Sequence, residues 1–387
     1  MKSVYLDNAA TTPLDSRVLQ AMMPYLSEDY ANANSPHHLG RRTHVAIEEA
    51  RETIARCIGA EPAEIIFTSG GTESNNAAIK GCVKSNAKTH IITSKVEHHA
   101  VLHPLQLDIP DNVSATFLDV NSDGVVTAEQ VESAITPQTR LVSLMHGNNE
   151  ISSLNPIREI AGICAKKNIL FHSDTVQTVG KIPVDVNDLG VDFLSISAHK
   201  LYGPKGVGAL FVRSGSDWHP WMHGGSQERK RRGGTLNVPG IIGLAEALRL
   251  AVEEMDANNA RISALKTTLI SELQSRFGES ISFNGDLQNG LYNIVNCSFP
   301  MSENRALDGE MLLLNLDIEG ICCSNGSACT SGAVEASHVL LAMGRATQTA
   351  KSSLRFSLGK HNTHDEIMYT VEKLEKIIHR MTQNLSK

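Results

Sequence analysis

Three short segments of this 387-residue chain end in residues whose types and settings suit chemistry. SISAHKLYGPKG (195–206) follows the apolar run VDFL, so Lys200 stands on the loop leaving a buried strand. Desolvation there lowers a lysine's pKa and frees the amine to act as a nucleophile, as a Schiff-base lysine must. Ser197 and His199 beside it can donate to a phosphate. Taken alone, the lysine reads more readily as part of a surface Lys–Gly turn, with Lys205 as its local competitor. ILFHSDTVQ (169–177) is again a strand followed by polar residues, here Asp174 and Gln177. A carboxylate at a strand's carboxyl end can hold a pyridine nitrogen protonated, although aspartate is also a favoured helix cap. EIIFTSGGTESNNAAIKG (64–81) runs from strand through a Gly–Gly turn into a helix start. Backbone N–H groups around Gly71, with the Thr72 hydroxyl, form a phosphate seat at such a helix N-terminus.

A phosphate seat, a carboxylate and a lysine, each closing a strand of one sheet, are together the set that pyridoxal phosphate requires. Rival phosphate loops are missing: no GxxxxGK[ST] occurs and no GxGxxG follows a strand. A fourth segment, ICCSNGSACTSGAVEASHVLLAMG (321–344), sets Cys329 among small and polar residues just before a helical stretch. That setting favours an exposed, movable thiol acidified by the helix N-terminus. Cys322 and Cys323 adjoin an apolar run and read as ordinary buried cysteines. In KSSLRFSLG (351–359), Arg355 lies in a β-alternating segment, and its fork suits a substrate carboxylate or a structural salt bridge. His99 and His103 in EHHAVLH share a helix face, but no third metal ligand is near and no metal is expected. The cations Arg229 to Arg232 in ERKRRGGTL point, in so acidic a chain, to a local anion site.

The elements that must position these groups alternate. Apolar, β-rich runs at 64–67, 90–93, 114–118, 141–145, 169–171, 191–196 and 208–212 are separated by helix-period stretches such as 45–57 and 157–167. Such alternation implies an α/β fold with a mostly parallel, doubly wound sheet. Helical signal follows from 241 to 277, then strands near 292–298 and 353–357 and an amphipathic end at 365–381. The expected division is a large α/β cofactor domain, 15–250, and a smaller α+β domain, 1–14 plus 251–387, that carries the Cys329 loop. A formal charge of −7 argues against a nucleic-acid binder. Seven scattered cysteines without a CxxC suggest reduced thiols in a cytoplasm. Neither a signal peptide nor a membrane-spanning run is apparent.

From YLDNAATTP (5–13) to RFSLG (355–359) the chain resembles the cysteine desulfurases, pyridoxal-phosphate enzymes of the class V aminotransferase group. Its most specific pieces are SAHKLYGPKG and the GSACTSG loop, whose wording is similar to the long-loop subgroup. The resemblance implies that Lys200 binds the cofactor covalently and Asp174 pairs with the pyridine nitrogen. Gln177 and Asn149 (in HGNNE) would contact the ring's phenolic oxygen, and His98 would stack on the ring and move protons. Gly71, Thr72, Ser197 and His199 would hold the phosphate, and Thr235 would reach it from the partner of a homodimer. Arg355, helped by Asn149, would bind the carboxylate of L-cysteine. Cys329 would accept its sulfur as a persulfide for an acceptor protein serving iron–sulfur cluster assembly or tRNA thiolation. Asn325 stands where related loops usually have serine, and Ala198 where glycine is common. Longer members carry a C-terminal segment beyond the position of Lys387 that docks the scaffold protein, so the acceptor stays open. Selenocysteine lyase and cysteine sulfinate desulfinase are rival activities on the same fold, and a plain aminotransferase leaves the Cys329 loop unexplained. A non-catalytic partner protein that keeps the fold is a further alternative.

Overall fold

The computed structural model of the protein describes residues 3–84, 87–299, 307–325 and 335–384. Its twelve strands are β1 (Val4–Tyr5), β2 (Ile65–Thr68), β3 (Thr89–Ser94), β4 (Val113–Leu118), β5 (Thr139–Ser143), β6 (Leu170–Asp174), β7 (Phe193–Ser197), β8 (Gly208–Val212), β9 (Ser282–Asn284), β10 (Ile294–Ser298), β11 (Ile321–Cys322) and β12 (Ser353–Ser357). Seven of them make one sheet in the order β2-β8-β7-β6-β5-β3-β4. β8 is antiparallel to both its neighbours and the remaining pairs are parallel, as the alternating pattern predicts. Every expected run of the large domain recurs as a strand within a few residues. The principal change is at β6, which reaches three residues past the apolar run and takes in His172, Ser173 and Asp174.

Helices cover both faces of this sheet, and β2, β3, β7 and β8 are buried along their whole length. Residues from His38–Ile58, Ile157–Lys166 and Val238–Glu253 form one core with Phe67, Phe171 and Ile196. Gly71–Gly81 and His99–Leu107 pack on the other face around Ile91, Phe193 and Leu210. A separate core joins helices Met255–Phe277, Gly309–Ile318 and His364–Asn384 to the antiparallel sheet β12-β10-β9. Val4 and Leu6 from the other end of the chain are buried in that same core, drawn there by the parallel pairing of β1 with β11. Among the described residues no helix is long and apolar enough to cross a membrane.

β2 is an edge strand, and an unpaired edge needs cover. A buried ion pair supplies it. Arg51 and Glu228 meet through two bonds of 2.8 and 2.9 Å. Arg51 also donates to the Ile65 carbonyl at 2.8 Å, and Glu228 accepts from the Phe67 N–H at 2.9 Å. The guanidinium lies 4.5 Å from the Phe67 ring centroid. Glu228 reaches this place from a turn in which Glu228, Arg229 and Lys230 all have positive φ, at 46°, 55° and 66°. The cations of this stretch turn onto the protein's own acceptors, which corrects the expected anion site. Arg229 pairs with Glu48 at 3.2 Å, Arg231 donates to the Ala63 carbonyl at 2.5 Å, and Arg232 grips Glu73 at 2.8 Å. Glu228→Gln leaves the buried Arg51 charge uncompensated and is expected to cost about 3–5 kcal/mol in chemical denaturation. A loss below about 1 kcal/mol would contradict the role assigned to the pair.

Candidate active site

In the parallel pairs all strands end at one edge, and two antiparallel steps through β8 bring β2 into the same direction. The carboxyl ends of β2, β6 and β7 therefore converge, the place where open α/β sheets bind ligands. A cavity of about 550 Å³ lies there, within the range of small-molecule sites. Gly71, Thr72, His98, Asn149, Asp174, Gln177, Ser197, His199, Lys200 and Arg355 all line it. Lys205 is not part of it and sits on an adjoining depression with Thr72 and His199. Thr235 is exposed and lines a different hollow, with Tyr25 and Tyr30. Cys329 lies outside the described residues, as do Gly326, Ser327 and Gly332.

The phosphate seat depends on close backbone approach. Gly208 lets the turn after β2 sit on β8: a Cβ there would come within 2.7 Å of the Gly70 Cα. Gly70, at φ 146°, starts helix Gly71–Gly81 without a side-chain cap, so the first amides are left to a ligand. Glu73 in the first turn accepts from the Ser69 N–H at 2.7 Å and is held by Arg232.

Lys200 lies just beyond β7 under the N-terminal turn, where its ammonium donates to the Ala9 and Ala10 carbonyls at 2.6 Å each. Burial, and then the Arg355 charge, push its pKa down to about 8, with Asp7 and Asp174 opposing. Asp174 is buried; one oxygen accepts from Asn75 Nδ2 at 2.7 Å and the other from the Val176 N–H at 3.0 Å. His98 caps helix His99–Leu107: its Nδ1 accepts from the Ala100 N–H at 3.0 Å, which leaves the proton of the neutral ring on Nε2. Burial holds His98 below the ordinary histidine value, against the pull of Asp174. His199 is pushed down to about 4 by burial and by the lysines around it, and so is neutral. Its Nδ1 is 3.1 Å from Thr11 Oγ1. Arg355 pairs with Asp7 at 2.7 Å and donates to the Asn149 carbonyl at 3.0 Å, while its buried Nε has no partner among the described residues.

Both flanks of the Cys329 segment reach this cavity. Ser324 and Asn325 line it on one side, and Ser324 bonds through its backbone to Arg355. On the other side Ser337 donates to the buried Glu150 at 2.6 Å, and His338 Nε2 is 3.0 Å from the Glu97 carbonyl. The His99 ring stacks between those of His103 and His338, with centroids 4.6 and 4.7 Å apart. Cys322 and Cys323 are half-buried, and Cys323, expected in a core, lines the cavity. Burial pushes its thiol far above the usual range, so it is a poor nucleophile. Asp7, Asn75 and Glu97 are structural partners that no local pattern picks out, because each meets a distant group through the fold, and Lys181 returns to Gln177 only across the turn at Gly180. Glu97 is fully enclosed, and burial raises its carboxyl to about 8.

The residues present fit pyridoxal phosphate. A Cβ at Gly71 would come within 2.8 Å of Val176, so a glycine is needed for the turn beside Asp174. The enclosed amine, the carboxylate and the uncapped amides then suit an aldehyde, a ring nitrogen and a phosphate respectively. Such a layout is that of an α/β protein built around a lysine-anchored cofactor.

The model of the aminotransferase class-V family matches residues 4–369. The cysteine desulfurase IscS of Dictyoglomus turgidum is 50% identical over 382 residues, covering 98% of this chain and 95% of that protein. Among solved structures, a NifS-like protein superposes with a TM-score of 0.90 at 39% identity, covering 98% of this chain and 100% of the other. A structure described as SspA in complex with cysteine has a TM-score of 0.80 at 35% identity, covering 93% and 100%. The chain belongs to the class-V aminotransferase family, in its cysteine desulfurase branch.

In the cofactor-free protein, trapping of Lys200 by an aldehyde and borohydride should rise with pH around a midpoint near 8, against roughly 10.4 for a free lysine. Below that midpoint the amine is protonated and inert. Arg355→Met removes a repelling charge and should move the midpoint upward; an unmoved midpoint would sink this account of the lysine.

Proposed function

We propose that the protein is a pyridoxal-phosphate-dependent cysteine desulfurase that converts L-cysteine to L-alanine and passes the sulfur on through a persulfide on Cys329. The observation that carries this reading is one cavity shared by Lys200, Asp174 and Arg355 and rimmed by both flanks of the Cys329 segment. Relatives described as cysteine desulfurases, and one described in complex with cysteine, support it.

When bound, pyridoxal phosphate supplies an electron sink for charge left on the substrate's α-carbon. Lys200 would hold it covalently, Asp174 would keep its ring nitrogen protonated, and Gly71, Thr72, Ser197 and His199 would carry its phosphate. His98 would lie against the ring, and Gln177 and Asn149 would bond its phenolic oxygen. Arg355, whose buried Nε has no partner among the described residues, would take the substrate carboxylate with Asn149. Lys200, with a pKa near 8, accepts the α-proton as a neutral amine once substrate has displaced it. The Cys329 thiolate attacks the substrate sulfur. As the S–S bond forms, the Cβ–S bond breaks; protonation of Cβ and return of the α-proton from Lys200 to the α-carbon then give alanine.

On the same reading the protein is a cytoplasmic homodimer in which Thr235 of one protomer reaches the phosphate of the other. Residues 15–250 form the cofactor unit, and 1–14 with 251–387 the second; the separate apolar cores support that division. The persulfide goes to an acceptor serving iron–sulfur clusters or tRNA thiolation.

Mass spectrometry after one turnover with cysteine should find one extra sulfur on the peptide containing Cys329, and Cys329→Ala should yield no sulfur transfer. A Cys329→Ala protein that delivers sulfur at the parental rate would overturn the assignment, and faster turnover of selenocysteine or cysteine sulfinate would redirect it. Arg355→Lys should lower kcat/KM by about 10- to 100-fold, the loss expected for a charged hydrogen-bond partner.

A further inference from the structure

Lys181, whose partner Gln177 lines the cavity, is a buried lysine for which the mechanism above has no use. It is 8% exposed, and burial pushes its pKa down to about 7, with the Lys200 charge adding to the effect. Its hydrogen bonds go to no carboxylate: the ammonium donates to the Gln177 backbone carbonyl at 3.0 Å and to Gln177 Oε1 at 3.1 Å. Gly180 makes this return possible. It has φ +72°, and a Cβ there would lie within 2.8 Å of Leu201 and 2.9 Å of Ala251. A buried cation is costly, and packing alone would be served by an apolar side chain. The cost points to a use.

An amide can be turned either way round, and its partners decide which. A backbone carbonyl can only accept, so Nε2 of Gln177 must face Ala9, where it donates at 3.0 Å to the same oxygen that accepts from Lys200 at 2.6 Å. Oε1 then faces Lys181, whose Nζ donates to it whether protonated or neutral. The four residues thus form one chain of contacts, from Lys181 through Gln177 to Ala9 and Lys200.

We propose that Lys181 is a positioning residue that clamps the Gln177 amide oxygen, so that the amide N–H₂ is presented to the phenolic oxygen of the cofactor bound at Lys200. The inference rests on the reading of Gln177 given above. Lys181 itself touches neither cofactor nor substrate. By keeping a donor on the phenolic oxygen, it stabilises the bare phenolate and so lowers the pH at which the Lys200 linkage loses its proton.

The test is a pH titration of the visible absorption band of the loaded protein, for the parent, Lys181→Met, Gln177→Leu and the double variant. Each single change should raise the midpoint by about one pH unit, the size expected when a hydrogen bond to a charged oxygen is lost. The double variant should move no further than Gln177→Leu alone. Additive shifts would mean that Lys181 acts by its charge and not through Gln177, and an unmoved midpoint in folded Lys181→Met would mean that it does not act at all. Either result overturns the proposal. If Lys181→Met does not fold, Lys181→Ala is read in the same cycle. A parent without a visible band refutes the cofactor reading itself, and the proposal with it, whereas a parental band with an unmoved variant refutes the proposal alone.

Discussion

The site depends on one constraint, that the N-terminal turn must cover Lys200. Residues 7–12 are strapped down on two sides. Thr12 bonds to the His199 carbonyl through both its N–H and its hydroxyl, each at 2.9 Å. Ala9 N and Asn8 Nδ2 reach Ser357, both at 2.9 Å. The first strap leads to the loop after β7 in the large core, the second to β12 in the small one. With the turn in place, Lys200 loses water, gains two carbonyl partners, and meets Arg355 and Asp7 across the same space. Desolvation, the largest effect on its amine, thus comes from residues almost 200 positions away in sequence.

The same turn links the two cores to the chemistry. Asp7 binds Arg355, Ala9 binds both Gln177 and Lys200, and Thr11 meets His199. Arg355 on the small core's sheet and the Lys200 amine beside the large core's sheet are in this way held in register by one short segment. Displacement of the turn would expose the lysine and free the arginine at once, so the two groups are mechanically coupled.

Much of this was legible in the sequence, for a physical reason. Strand-end motifs carry their positions with them: if 64–67, 169–171 and 191–196 are parallel strands of one sheet, then Thr72, Asp174 and Lys200 must gather at one edge. Periodicity alone gave those strands within a few residues. The reversal of β8 was not visible, because a buried antiparallel strand is as continuously apolar as a parallel one. Nor were Asn75, Asp7 and Lys181, whose partners are 99, 348 and 4 residues away and whose roles arise from tertiary approach or from a turn at a single glycine. The Arg229–Arg232 run misled, since charge counting does not reveal that Glu48, the Ala63 carbonyl and Glu73 already meet Arg229, Arg231 and Arg232.

The reversed strand β8 has a consequence for the boundary of the site. A seventh parallel strand would require a helical crossover packed over the sheet. Because β8 instead returns directly, residues 198–207 close that flank as a bare loop, and Lys205 and Gly206 edge a depression that adjoins Thr72 and Ser197. The wall is thin there by topology and not by erosion. In the homodimer proposed above, such a lateral window would be where the neighbouring chain completes the enclosure, so that assembly and ligand retention would become one event.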